Sequence, residues 1–363
     1  MNKTKSRPLR ILVVTPLGKG GKGGIDRIMD ETRQYFLNSG LGPSVEFVAS
    51  RGQGNIVLSI PRTFAIAARL LASRFGGGPD VVHINLSSQG STLRKIVIAK
   101  AARKAGVAYV IHLHGSAYNT YWDNVSSSLS AAITKMFLGA ARIIVLGRFW
   151  RDYVESRVPT ARDRIVILPN ATQVPKPAPA FPEGKERNIL FLGLLGERKG
   201  VPELLEAFGK MKAKSPWRAV VAGNGAVEKM QKCIAALGLD ARVSLPGWVG
   251  PDDVRKLLAN AHIVILPSHE ENLPMSVIEG MAYGRAVVAT PVGAVEDILH
   301  DGENGLIVPV GDAHKIAAAL DRLVDDNALR IRIGKNARRF AEDFLDTPGY
   351  VRALVKIWQD STG

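Results

Sequence analysis

The sequence predicts two successive α/β domains, each a parallel sheet covered by helices on both faces. Three observations carry this. The chain has 363 residues, enough for two domains at about 150 residues each. Short β-branched runs recur along it, apolar throughout and separated by helical stretches, as strands buried on both faces of a parallel sheet require. The alternation is interrupted once, near the middle, and then restarts.

In the first half the strand runs are Ile11–Thr15, Val45–Ala49, Val81–Asn85, Tyr109–His114, Ile143–Leu146 and Ile165–Leu168. Helical candidates lie between them, among them Asp26–Phe36, Thr63–Arg74 and Leu93–Ala105. Ala171–Asn188 carries four prolines and no periodicity, so it reads as a linker. The alternation resumes with Ile189–Gly193, Ala219–Gly223, Val243–Gly247, Ile263–Pro267, Ala286–Thr290 and Leu306–Pro309. Domains of 1–172 and 173–346 follow, with a last helix in 347–363. Ligands in such sheets bind beyond the carboxyl ends of the strands, and two such domains facing each other form a cleft.

Composition narrows the class. Hydrophobic residues are 46% and charged residues 22%, which excludes disorder. The single cysteine, Cys233, excludes a disulfide framework or a multi-thiolate metal site and reads as inert core. Residues 1–170 hold 24 basic against 9 acidic residues, a net of +15, while 171–363 hold 24 of each. The imbalance of the whole chain therefore belongs to its first half, and it suits a polyanionic ligand or surface there. The apolar run after Lys3, Lys5, Arg7 and Arg10 has five residues before Pro16, short of the roughly 7–15 of an export signal or the about 20 of a membrane span. That predicts a cytoplasmic protein, peripheral at most on the inner face of a membrane.

The most informative segment is His269–Gly284, HEENLPMSVIEGMAYG. Pro274 suits the first turn of a helix continuing to Ala282. Glu271 falls in the loop before it, and Glu279 among apolar residues within it. A carboxylate so placed needs a partner, since unpaired burial costs several kcal/mol. The vicinal diol of a ribose would supply two hydrogen bonds, and the helix start offers N–H groups to a phosphate. An ordinary helix with one surface glutamate is the competing reading. Upstream, Gly20, Gly21, Gly23 and Gly24 with Lys19 and Lys22 form a loop that allows close approach of a phosphate or sugar, or a plain surface turn. Its spacing is not that of a dinucleotide fingerprint, which disfavours an NAD site.

Here the chain resembles family-4 retaining glycosyltransferases, the group 1 glycosyl transferases. The resemblance rests on Glu271-x7-Glu279 with Gly280 and Gly284. It is extended in order by Gly18–Arg27, His112–Ser116, Ile167–Pro175, Phe191–Phe208, Val221–Met230 and Val243–Val249. It implies the GT-B fold: two facing Rossmann-like doubly wound domains with a cleft between them. It implies that Glu279 holds the ribose hydroxyls and Glu271 hydroxyls of the donor sugar. Backbone of Asn272, Leu273, Pro274, Met275 and Ser276 would meet sugar and phosphates, with Gly23 and Gly24 at the same ligand. Lys199 would neutralise the diphosphate leaving group. The family arginine five residues before that lysine is Leu194 here, and Arg198 is the candidate substitute. His114 would contact the donor sugar at the strand end, and His112 faces the same side or lies one layer deeper. The last helix, Thr347–Gln359, would cross back onto the first domain, and Trp248 would frame the base or simply pack.

The function implied is transfer of a sugar from a nucleotide-diphosphate sugar to a glycan or lipid-diphosphate-linked acceptor, in cell-surface polysaccharide or glycolipid biosynthesis. No Asp-x-Asp triplet occurs, the device by which glycosyltransferases of the other main fold hold a divalent cation. No metal and no further cofactor are expected. No carboxylate in the first half stands out as a nucleophile, so front-face attack is favoured over double displacement. Lys and Arg at 94, 95, 100, 103 and 104 spread over most of a helix circumference, so they do not make a clean amphipathic membrane helix; the plain reading of the basic half is a solvated surface, the alternative peripheral docking. Distributed basic residues (Arg62, Arg69, Arg74, Arg142, Arg148, Arg151, Arg157) suit an anionic leaflet. Two other classes fit less well. A nucleotide-sugar epimerase shares the architecture but lacks this glutamate arrangement, and nucleic-acid binding lacks any reader motif.

Overall fold

A computed structural model describes residues 7–20, 24–39, 42–52, 57 and 59–362. The chain divides into two compact units, 1–170 with 347–363, and 171–346.

The first unit runs β1 (Arg10–Thr15), α1 (Gly24–Ser39), β2 (Ser44–Ala49), α2 (Ser59–Ala72), β3 (Val81–Leu86), α3 (Gly90–Ala105), β4 (Ala108–Leu113), α4 (Tyr118–Asn124), α5 (Ser127–Leu138), β5 (Arg142–Val145), α6 (Arg148–Arg157) and β6 (Ile165–Ile167). Its six strands are all parallel, in the order β2-β1-β3-β4-β5-β6. Alternation sorts each central strand onto two faces. Leu12, Val14, Val82, Ile84, Leu86, Ile111 and Leu113 pack on one face with Ile98 of α3, Phe137 of α5 and Trp150 of α6. The other face receives His83, Asn85 and His112, all fully buried.

The second unit runs β7 (Arg187–Leu192), α7 (Val201–Lys210), β8 (Trp217–Ala222), α8 (Val227–Ala236), β9 (Val243–Gly247), α9 (Pro251–Asn260), β10 (Ile263–Leu266), α10 (Met275–Ala282), β11 (Ala286–Ala289), β12 (Leu306–Ile307), α11 (Ala313–Asp325) and α12 (Asn327–Phe344). It too is a six-stranded parallel sheet, ordered β12-β11-β10-β7-β8-β9, the order of a dinucleotide-binding Rossmann sheet. The last helix, α13 (Thr347–Gln359), belongs to the first unit. Its Trp358 stacks on Phe36 of α1 at 5.9 Å.

Three expectations are corrected. The proline-rich stretch is not a loose linker. Its last two residues start β7, and cationic side chains of the second unit tie down the rest. Arg285 donates to Ala180 O at 3.2 Å, and Arg338 to Pro175 O at 2.6 Å. Lys95 is not on a solvated basic surface; it is wholly buried, because α3 turns that side towards the end of β2. Cys233 is half-buried on α8 rather than core. No helix among the described residues is long and apolar enough to cross a membrane.

Candidate functional site

In the second unit the chain lays β8 and β9 on one side of β7, then β10, β11 and β12 on the other. The order reverses between β7 and β10, the place where such sheets bind ligands beyond their strand ends. Two glycines bring the loops around it together. Gly200, at φ +66°, lies where a Cβ would stand 2.0 Å from Pro267 O; Gly293, at φ +62°, lies where one would stand 2.3 Å from both Glu271 O and Asn272 O. No other residue fits either place without moving backbone. The loop after β7 thus meets the loop after β10, and the loop after β11 locks the latter from behind. Ala294 N donates to Asn272 O at 2.7 Å.

Within these loops Lys199 Nζ pairs with Glu271 Oε1. The side chains are 14% and 8% exposed, so solvent screens the pair little. Ser268 Oγ donates to the same carboxylate oxygen at 2.7 Å, and Thr290 Oγ1 donates to Ser268 O at 2.5 Å. Arg198 lies beside this pair without joining it. Its carbonyl accepts from His269 N at 2.9 Å, and its guanidinium donates to Glu270 O at 3.2 Å. Leu194 and Trp248 are exposed.

The loop then enters α10, whose eight residues are all buried, with Pro274 as its N-cap. Gly280 lets the helix press on the sheet: a Cβ there would lie 3.0 Å from Val264 Cβ and 3.1 Å from Val287 Cγ2. Asn272, Leu273, Met275 and Ser276 are buried in the approach to the helix and its first turn, and Glu279 is 3% exposed one turn further on. A lysine, a carboxylate and the amide-rich start of a helix suit a ligand carrying both anionic oxygens and hydroxyls.

In the first unit His114 stands one residue past β4, and its N–H donates to Leu86 O at 2.9 Å. Asn85 Nδ2 donates to Val14 O at 3.2 Å, which fixes its Oδ1 as the acceptor from His114 Nε2–H at 2.9 Å. His114 Nδ1 is left as an acceptor. Behind it a relay runs from the last helix. The Trp358 indole donates to His83 Nδ1 at 3.0 Å, and His83 Nε2 lies 3.3 Å from His112 Nδ1. The rings of His112 and His114 stand 3.9 Å apart. Burial holds all three histidines neutral: His83 is pushed down to about 4, His114 to about 3 with help from His83, and His112 well below its ordinary value.

The glycine loop is held by α1. Asp26 accepts from Leu17 N and Gly18 N, each at 3.0 Å, and Asp30 accepts from Gly20 N at 2.8 Å. Gly24 is the first residue of α1, and Gly23 lies outside the described residues. Lys199 and Glu271 are thus brought together, with Arg198 adjacent and Glu279 on the helix that follows. Ser268, Thr290 and Gly293 were missed by sequence reasoning, as were Asn85, His83 and Trp358. The period-two repeats His83–Asn85 and His112–His114 were the available signal for part of that set.

Residues 176–340 match the family described as Glycosyl transferases group 1, and residues 33–174 match Glycosyltransferase Family 4. The chain is 28% identical over 255 residues to an alpha-D-kanosaminyltransferase of Streptomyces kanamyceticus, over 65% of this chain and 66% of that one. It is 34% identical over 148 residues to the lipopolysaccharide core biosynthesis glycosyltransferase LpsE of Rhizobium meliloti, over 40% and 42%. The match thus spans less than two thirds of either relative. In fold it resembles HepE of Anabaena, solved in complex with UDP and glucose, with TM-score 0.74, 16% identity and coverage of 97% and 99%.

Proposed function

The chain belongs to the group 1 glycosyltransferases of GT-B fold, and on that premise we propose that it moves a sugar from a nucleoside-diphosphate sugar to a glycan or lipid-linked acceptor, in polysaccharide or glycolipid biosynthesis. The observation that carries this reading is the Lys199–Glu271 pair, oriented by Ser268, at the strand-order reversal beside the start of α10. Breaking the bond to the anomeric carbon leaves a nucleoside diphosphate with added negative charge. Lys199 exchanges part of its contact with Glu271 for that charge, and the N-terminal amides of α10 add theirs. Glu271 binds hydroxyls of the sugar, and Glu279 binds the ribose. A cation and a helix terminus would meet the diphosphate without a metal. Arg198, beside the pair, would meet a phosphate in place of the family arginine that is Leu194 here.

Neutral His114, its Nε2–H engaged by Asn85, offers Nδ1 as an acceptor to a sugar hydroxyl. The reaction retains configuration by front-face attack, with the leaving phosphate taking the acceptor's proton. Trapping of a covalent glycosyl-enzyme would exclude this. HepE's complex with UDP and glucose and LpsE's description as a lipopolysaccharide core enzyme support the choice of donor and pathway class. The basic first half favours an anionic acceptor or leaflet, and docking from the cytoplasmic side follows.

The test is a nucleotide-sugar panel read by thermal stabilisation, followed by transfer assays of Lys199→Ala and Glu279→Ala. We expect folded variants with transfer reduced by about 10²–10³-fold. Full activity in both removes the site. Nucleoside diphosphate release that needs an added acceptor separates a transferase from an epimerase.

A further inference from the structure

The first unit has its own strand-order reversal, between β1 and β3. The loop leaving β2 is bound to the one leaving β1: Ser50 N donates to Thr15 O at 2.9 Å, and Arg51 N and Gly52 N donate to Pro16 O at 2.9 and 3.1 Å. Across β1, the chain leaving β3 enters α3.

Three arginines lie at this end of the sheet, Arg51 and Arg62 exposed and Arg94 half-buried. Arg62 Nη1 donates to Arg51 O at 2.7 Å and lies over Gly52, where a Cβ would stand 1.9 Å from it. Arg94, in the first turns of α3, folds back so that Nη1 lies 3.3 Å from where a Cβ of Gly90 would be. Its Nε is buried with no hydrogen-bond partner. Burial and the Arg51 charge both push the Arg94 guanidinium below its ordinary value. Lys95, wholly buried next to Arg94, donates to Ser50 Oγ.

Among the described residues, no carboxylate forms an ion pair with Arg51, Arg62 or Arg94. Asp26 faces Lys95 from α1, but it already accepts two backbone amides of the glycine loop. Crowded like charges with a desolvated, unsatisfied N–H are unfavourable unless an anion completes them. A phosphoryl group would do so: it would accept from guanidinium forks near the positive end of a 16-residue helix.

We propose that Arg51, Arg62 and Arg94, with the first turn of α3, form a phosphoryl-binding subsite at the β1/β3 crevice. Its ligand class is a phosphate monoester or diphosphate. That this group belongs to the sugar acceptor rests on the glycosyltransferase reading above; the binding of a phosphoryl group there does not.

The probe is inorganic pyrophosphate, titrated calorimetrically into the full chain. Arg51→Gln and Arg94→Gln should each weaken one class of binding about tenfold, and the double variant should abolish it. Arg94→Lys should lose less. Relief of like-charge crowding should leave the unfolding temperature of Arg94→Gln unchanged or raised, whereas a purely structural arginine would lower it. Wild-type pyrophosphate affinity in the double variant overturns the proposal. Failure of the donor-site reading shows differently, as no effect of Lys199→Ala on pyrophosphate binding. Phosphatidylcholine vesicles with and without phosphatidylglycerol then identify the source. Loss of anionic-vesicle binding in the double variant assigns the phosphoryl group to a lipid headgroup; retention assigns it to a soluble ligand. Both results sustain the subsite.

Discussion

In the second unit the strand-order reversal between β7 and β10 holds Lys199 against Glu271, with Ser268 donating to the same carboxylate oxygen. In the first, the end of the sheet between β1 and β3 carries Arg51, Arg62 and Arg94, to which no carboxylate among the described residues is paired, beside a row of neutral histidines. Both lie where strand order reverses, so topology makes the place and side-chain chemistry makes the difference. A site with its charges balanced internally is stable when empty and must exchange partners to bind. A site with uncompensated cations stores an unfavourable interaction that a bound anion relieves. The first kind suits a ligand that comes and goes with each turnover, and the second a ligand recognised by its charge.

The comparison can be broken most forcefully at Gly293. Gly293→Val puts a β-branched side chain at φ +62° and within 2.3 Å of two carbonyl oxygens, so the Glu271 loop must shift. The second unit should lose about 3 kcal/mol, and stabilisation by a nucleotide sugar should vanish while pyrophosphate binding in the first unit persists. Calorimetric unfolding with and without ligand reads both; wild-type behaviour would show that backbone contact does not hold the proposed donor site.

Acid should separate the units next. His83, His112 and His114 have folded pKa values below the unfolded value of about 6.5. The unfolded chain therefore binds more protons between about pH 6.5 and 4, and stability falls as pH drops through that window. Each fully buried histidine contributes up to about 1.4 kcal/mol per pH unit there. The second unit has one comparable group, His262, pushed down to about 4, so the first unit should lose more. Unfolding temperatures between pH 7 and 5 test this, and His112→Phe should flatten the slope. Equal slopes in the two chains would mean the relay is not what titrates.

The smallest effect lies at the turn into α3. Gln89 is the one non-glycine residue with positive φ among those described, at φ 56° and ψ −131°. Gln89→Gly should raise first-unit stability by about 1 kcal/mol by removing that strain. A lower unfolding temperature would show that the Gln89 side chain holds the turn.

Much of the fold was legible because its signals are local. Apolar runs bounded by turn residues mark buried strands, and all twelve anticipated strands lie within two residues of the observed ones. Glu271, Glu279 and Lys199 were legible as members of an ordered motif set. The proline-rich segment misled because composition shows that a stretch cannot form helix or strand, not whether Arg285 and Arg338 will bind its carbonyls. Lys95 misled for a related reason: helix periodicity gives the angle of a side chain, not what lies opposite it.

The sequence by itself determined two parallel α/β sheets, the motif residues of the proposed donor site and the confinement of excess positive charge to residues 1–170. The tertiary structure decided which of those residues meet. Lys199 and Glu271 are 72 positions apart, and Trp358 and His83 are 275 apart. It also decided which charges are compensated and which histidines are neutral. Those properties depend on the approach of distant backbones and on the exclusion of water, and both arise only when strands from separate stretches of chain pack side by side.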